Sequence, residues 1–419
     1  MEAAAADHFR TKTATTSHAQ RQLWFLFRAE GPTALYNMPL VLELRGGLDA
    51  SALSSAFLDV LGRHEVLRTT LSDAGDEVVQ VVHDAACGRA VFERRCVSAD
   101  ALEAEIAGAA RHCFDLETEF PIRALLLEVA PEQHVFMLVM HHIAGDGWSF
   151  EPLARDLKQA YAARRLGQQP TWAPLPVQYA DYAVWQKQVL GDERDADSLA
   201  GQQLAYWKDA LQGIPEQLDL PTDRRRPAVA SHRGGIARIA LDATRHKALI
   251  GIARAGNGSL FMVLQAALAA LLTRLGAGED IPLGAPIAGR SDERLYDLVG
   301  LFLNALVLRV DTSGNPTFGQ LLSRVADQCL NGFENAELPF DRVVEAVNPA
   351  RSGSRHPLFQ VLLVLQNNAE ASFKFPGADV RVRGSHTGTS KFDLSFDIYE
   401  HTDASGAPAG LYGYLEYAT

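Results

Sequence analysis

Cysteine is scarce in this 419-residue chain, which has only Cys87, Cys96, Cys113 and Cys329. No two of them form a CxxC pair and their spacing matches no zinc pattern, so free thiols in a reducing, cytoplasmic setting are expected. Long apolar runs are also missing. The longest, Leu260–Leu275, is interrupted by Gln265, Thr273 and Arg274 and falls short of the ~20 residues a bilayer span needs. It reads as a buried helix, and no membrane contact is expected. Positive charge is in deficit, with 39 Lys and Arg against 51 Asp and Glu and a net charge of −12. That balance argues against nucleic acid as a partner, because phosphate binding needs a basic surface. The start of the chain shows no signal-peptide pattern; Met1–Ala6 is short and Ala-rich. No GxSxG nucleophile elbow occurs, so a serine nucleophile of that kind is not expected.

What is present is a soluble-type composition, 47% apolar, on a chain too long for one ordinary core. Strand and helix patterns alternate. Met38, Leu40, Leu42 and Leu44 alternate as one face of a strand. Asp49 is placed to cap a helix burying Leu53, Phe57, Val60 and Leu61. Ser98 or Asp100 is placed to cap another that runs toward Arg111, and Ala124–Val129 and Val135–Met140 read as core strands. The second half repeats the style, with a strand over Ile236–Leu241 and helices over Ala243–Ala255, Ser259–Leu275, Phe318–Gly332 and Phe340–Val347. The Pro- and Gln-rich stretch 168–176 is the candidate boundary, dividing the chain into 1–172 and 173–419. The class is α/β (α+β), with sheets flanked by helices.

The segment that points to chemistry is His141-His142-Ile143-Ala144-Gly145-Asp146-Gly147, between an apolar strand and an amphipathic helix that begins near Ser149. Histidine exchanges protons near neutral pH, and glycine allows a substrate close to the backbone. Adjacent residues on a strand point to opposite faces, and the spacing is not that of a helical HExxH site. Metal binding is therefore disfavoured, and a proton-transferring or positioning histidine is the favoured reading. A purely structural pair is the bland alternative.

Met140–Ser149 resembles the signature of condensation domains of nonribosomal peptide synthetases, members of the chloramphenicol-acetyltransferase-like superfamily. Other elements follow in the family's order. Ser17–Leu26 is similar to its opening SxAQxRLWFL motif. Arg63–Thr70 is similar to RHExLRTxF, with Leu71 where Phe is usual. Tyr179–Trp185 is similar to YxDYAVW, Val299–Asn304 to VGxFVN, Glu337–Asp341 to QDxPFE, and Ser354–Phe359 to SRxPLF. The resemblance implies two acetyltransferase-like lobes in a V-shaped pseudodimer with an active-site tunnel between them. The histidine motif would lie in the first lobe, and a floor-loop region near 284–304 in the second.

The reaction it implies is peptide-bond formation. The α-amine of an acceptor aminoacyl thioester attacks a donor aminoacyl or peptidyl thioester. Each substrate hangs on the phosphopantetheine arm of a carrier protein, upstream for the donor and downstream for the acceptor. No cofactor or metal is implied on the domain itself. A neighbouring adenylation domain is implied, and the chain is expected to be a monomeric excised domain. Carried over by position, His142 is the reacting imidazole, and Asp146 and Gly147 belong to the catalytic motif. His141, Arg63 and Arg68 support it, with Arg63 paired to Asp146. Trp148, Ser149, Arg290 and Asn304 lie near the tunnel, while Trp24, Tyr179 and Trp185 read as packing aromatics. The Ala144-Gly145 pair and the Gly191–Ser198 stretch resemble the subtype that takes a D-configured donor. Two alternatives are an epimerisation domain, which tends to carry Val-Ser-Trp where this chain has Trp148-Ser149, and a non-catalytic recruitment module, which usually has a degraded heptad.

Overall fold

The computed structural model describes residues 11–350, 352–366 and 371–419; the Ala-rich Met1–Ala6 lies outside them. These residues form a mixed α/β fold in two units. The first holds the chain up to Val189, then Arg290–Phe302 and the stretch ending at Thr387; the second holds the remainder. This differs from a single crossing at 172/173. The chain leaves the first unit after Val189 and returns to it twice. The linker 168–176 is not the boundary because the helix after it stays bonded to the start of the chain: the His18 N–H donates to Gln186 Oε1 at 3.2 Å.

The first unit runs β1 (Lys12–Thr15), α1 (His18–Glu30), β2 (Asn37–Gly46), α2 (Ala50–Arg63), β3 (Thr69–Ala74), β4 (Glu77–Val82), β5 (Phe92–Cys96), α3 (Leu102–Ala110), β6 (Ile122–Ala130), β7 (Gln133–His141), α4 (Phe150–Arg165) and α5 (Tyr179–Leu190). Asp49 caps α2 as expected, accepting from the Ser51 and Ala52 N–H groups. Neither Ser98 nor Asp100 caps α3 with its side chain; that helix starts after Ala101, and the Ala101 and Leu102 N–H groups bond to the Ser98 carbonyl instead. β1, β4 and β3 form a small antiparallel sheet. Helix α2 packs on α4, and α3 packs on β2, β6 and β7.

The second unit contributes α6 (Leu199–Ala210), β8 (Gly234–Asp242), α7 (Ala243–Ala255), α8 (Leu260–Arg274), β9 (Asp280–Ile287), β10 (Asn304–Asp311), α9 (Phe318–Glu334), α10 (Phe340–Val347) and β11 (Val361–Gln366). β12 (Ala378–Arg383) then joins the first unit's main sheet, ordered β12-β2-β7-β6-β5. Its tight entry needs glycine at 46: φ is +116°, and a Cβ there would lie 2.6 Å from the Gly377 oxygen. β13 (Leu394–Thr402) and β14 (Pro408–Ala418) complete the second unit's sheet, ordered β10-β9-β11-β13-β14-β8. The apolar run read as a buried helix is α8. It buries Leu260, Met262, Val263, Ala266, Leu268, Ala269 and Leu272, and no single described helix is long and apolar enough to cross a membrane.

The strand that delivers the histidine motif is the most deeply set in the first unit. Every residue of β7 after Gln133 is buried, because β2 and β6 flank it. Phe136, Met137 and Met140 are fully enclosed, each stabilising the fold by roughly 1.5–3 kcal/mol.

Candidate active site around the histidine motif

β7 ends where its hydrogen bonding ends. The His141 N–H donates to the Pro121 carbonyl at 2.8 Å, and the His142 N–H to the Tyr36 carbonyl at 2.8 Å. His142–Ala144 then forms a 3-10 turn, which His141 caps by accepting the Ile143 N–H on Nδ1 at 3.1 Å. That bond places the proton of the neutral His141 ring on Nε2. The ring is buried, with Phe114 edge-on at 6.0 Å and Tyr36 at 6.1 Å. His142 is only half-buried. The two imidazoles are thus divided between a capping, packed side chain and a more accessible one.

Asp146 is completely buried. It caps the next turn, Gly147–Ser149, reciprocally with Ser149: the Ser149 N–H donates to Asp146 Oδ1 at 3.1 Å and the Asp146 N–H to Ser149 Oγ at 3.1 Å. Ser149 Oγ also donates to Oδ1 at 2.9 Å, and the Phe302 N–H donates to Oδ2 at 3.0 Å. Arg290 supplies the counter-charge, with Nη1 to Oδ2 and Nη2 to Oδ1, both at 3.2 Å. Its guanidinium lies 4.1 Å from the Phe302 ring centroid, and Nη2 also reaches the Leu298 carbonyl at 3.2 Å. Burial pushes the Asp146 carboxyl up, opposed by Arg290 and by the donors from Phe302 and Ser149. Burial likewise pushes the Arg290 guanidinium down, opposed by Asp146. With this set of donors the carboxylate's lone pairs are occupied, so Asp146 shapes the loop and is not placed to move protons.

The expected Arg63–Asp146 pair is not formed. Arg63, in the last turn of α2, donates through Nε to Asp156 Oδ2 at 2.7 Å and through Nη1 to the Ala173 carbonyl at 2.7 Å. It also stacks on Trp172 at 4.9 Å. The reason is the α2–α4 packing, which carries the end of α2 to the middle of α4 instead of to the loop before it. There His64 Nε2 lies 2.9 Å from Asp156 Oδ2 and Arg155 Nε 3.3 Å from Oδ1. Burial raises the Asp156 carboxyl, but His64, Arg63 and Arg155 together hold it below the ordinary range. Asp156 escaped the sequence reading. Its signal was a charged residue at helical spacing from Leu153 and Ala160, inside the buried stripe of α4.

The other expected site residues take varied places. Arg68 serves backbone, donating to the Leu61 carbonyl at 3.1 Å and to the His83 carbonyl. Gly147 is half-buried and Trp148 is exposed. Asn304 serves backbone as well. It belongs to the second unit, where Nδ2 donates to the Ala336 and Leu338 carbonyls at 2.9 and 2.8 Å and Oδ1 accepts from the Ala305 and Phe340 N–H groups at 2.9 and 3.0 Å. Both ends of its amide are committed to holding the α9–α10 turn.

The motif, its capped turn and its arginine partner invite comparison with known proteins. The family model of the condensation domain matches residues 10–406. The chain belongs to the condensation-domain family. This condensation domain is 52% identical over 410 residues to a probable non-canonical nonribosomal peptide synthetase of Salinispora arenicola, covering 98% of the chain and 5% of that protein. It is 49% identical over 403 residues to a dimodular nonribosomal peptide synthase of Bacillus subtilis, covering 96% of the chain and 17% of that protein. The domain therefore spans less than a fifth of either relative. Among solved structures, the X-domain from teicoplanin biosynthesis is 34% identical with a TM-score of 0.90, covering 98% of this chain and 90% of that one. That X-domain is also known in a complex with OxyB. The fold is the chloramphenicol-acetyltransferase-like one expected from the motifs.

Proposed function

We propose that this condensation domain forms peptide bonds between carrier-bound thioesters in nonribosomal peptide synthesis. The acceptor's α-amine attacks the donor's thioester carbonyl. A C–N bond forms, the C–S bond breaks, and the amine's proton passes on balance to the departing thiolate. The lengthened chain stays on the acceptor arm. The observation that carries this reading is the division of labour within the motif: His141 caps the turn on which His142 stands half-buried, and Asp146, saturated with donors, caps the turn after it. His142 either takes the amine's proton, a role worth typically ~10²–10⁴-fold, or orients the amine. Bringing two tethered substrates together supplies roughly 7–11 kcal/mol in favourable systems. The substrates arrive on phosphopantetheine arms of an upstream and a downstream carrier protein, so the domain needs no metal or cofactor of its own. An adenylation domain adjoins it in a cytoplasmic synthetase, and the donor residue is D-configured.

A second reading, a module that recruits another protein without catalysis, is favoured by the likeness to the X-domain and its complex with OxyB. One assay separates the two. Donor carriers loaded with L- or D-terminated residues are mixed with a loaded acceptor carrier and the domain, and the acceptor is examined by intact mass. Dipeptide from the D-donor with the wild type, and none with His142→Ala, supports condensation. Equal product with His142→Ala removes the catalytic assignment, and no product with the folded wild type favours recruitment.

A further inference from the structure

Phe302, whose N–H reaches Asp146, lies in a stretch with no regular secondary structure, Leu301–Leu303. Something else must hold that stretch in register, and the side chain in position to do so is Tyr179, at the start of α5. Its buried hydroxyl donates to the Leu301 carbonyl at 2.6 Å and shares a hydrogen bond with Ser17 Oγ at 2.8 Å. Ser17 is itself held as the N-cap of α1, in a capping box with Gln20. The Tyr179 ring meets Phe302 edge-on at 5.2 Å. It also lies so close to residue 300 that a Cβ there would fall 2.2 Å from Tyr179 Cδ2, so only glycine fits. The Gly300 N–H donates to Ser149 Oγ at 3.2 Å, and the Gly300 carbonyl lies 3.0 Å from the same oxygen, whose single proton goes to Asp146. Three consecutive residues are thus fixed by three different groups: Gly300 by Ser149, Leu301 by Tyr179, and Phe302 by Asp146.

We propose that Tyr179 is a positioning residue for the histidine motif: its hydroxyl holds the Leu301 carbonyl so that the Phe302 N–H meets Asp146, which shapes the turn following His142. The catalytic part of this inference rests on the proposed role of His142; the positioning part does not. Tyr179→Phe keeps the ring packing and removes one donor, leaving the buried Leu301 carbonyl without it. A tyrosine that only fills space would lose nothing at the motif by that change.

Hydrogen–deuterium exchange of the whole chain, read on peptides covering 142–150 and 298–303, tests this without any substrate. Tyr179→Phe is expected to raise exchange of the Asp146, Ser149 and Phe302 amides about three- to tenfold, the scale of one buried hydrogen bond, with the thermal midpoint little changed. Tyr161→Phe is the control. It removes another buried hydroxyl of this unit, bonded to the Asp49 N–H at 3.0 Å, and should leave those amides unchanged. Unaltered exchange in Tyr179→Phe, or an equal rise in Tyr161→Phe, overturns the proposal. If Tyr179→Phe does not fold, Ser17→Ala, which removes the hydroxyl's other partner, takes its place under the same criteria. In the transfer assay Tyr179→Phe should lower kcat roughly tenfold with acceptor KM within about twofold; unchanged kcat in the folded variant counts against the proposal. A wild type that makes no peptide overturns the proposed function, and the exchange result still decides the positioning.

Discussion

Arg290 grips both oxygens of Asp146, one guanidinium nitrogen on each at 3.2 Å, across 144 residues of sequence. Asp146 is fully enclosed and the Arg290 side chain is 3% exposed, so neither charge has water to fall back on if the other is removed. Arg290→Met is therefore expected to destabilise the first unit by about 3–5 kcal/mol, the usual cost of stranding a buried charge. Urea unfolding measures it. Arg63→Met should instead loosen the α2–α4 contact while leaving the folded fraction's transfer activity intact. Loss of activity from Arg63→Met in proportion to that from Arg290→Met would contradict this division.

The two histidines should separate in the same way. His141→Ala removes the acceptor for the Ile143 N–H and opens a gap beside Phe114, so a loss of roughly 1–3 kcal/mol is expected. His142→Ala, at a half-buried position, should cost less than about 1 kcal/mol while abolishing product. Calorimetry alongside the intact-mass assay shows whether stability and activity part company.

Acid should weaken the second unit from about pH 6.5 downward through a buried imidazole. Burial, among Phe340, Phe359 and Phe392, pushes the His356 imidazole down to about 4. Between about pH 6.5 and 4 the unfolded chain binds a proton there that the folded chain refuses, so this contribution is intact above pH 6.5 and fades as pH falls toward 4. Its full size is roughly 3 kcal/mol. His64 titrates in the same sense, its ring lowered by burial despite the Asp156 contact. A His356→Phe variant should show a flatter stability profile over this window; an unchanged slope would remove His356 as the cause.

Asn304 offers a test of a site candidate whose amide is committed to backbone. Its amide bonds the backbone of residues 305, 336, 338 and 340. Asn304→Asp, which loses both donors and brings a carboxylate against the Ala336 and Leu338 carbonyls, is expected to cost about 2–4 kcal/mol. The effect should be confined to stability. A variant with native unfolding behaviour and no activity would give Asn304 a role in the transfer itself.

Local chemistry written in the chain settled a good deal. Asp49 caps α2 because a short carboxylate before an apolar stripe satisfies the helix's first N–H groups wherever that helix packs. β7 is a core strand because its run is apolar on both faces, and the His-Gly-Asp-Gly spacing after it commits the chain to capped turns. The order of motifs along the chain was enough for the family. Tertiary structure alone decided which arginine meets Asp146. Arg63 and Arg290 are equally able to pair with a carboxylate, and only the docking of Arg290–Phe302 onto the first unit, against the packing of α2 on α4, sends one to Asp146 and the other to Asp156. The same holds for the return of β12 to the first unit's sheet and for the link from Tyr179 to Leu301. Periodicity and capping act over a few residues, whereas these partners are separated by scores of residues and are chosen by which surfaces bury one another.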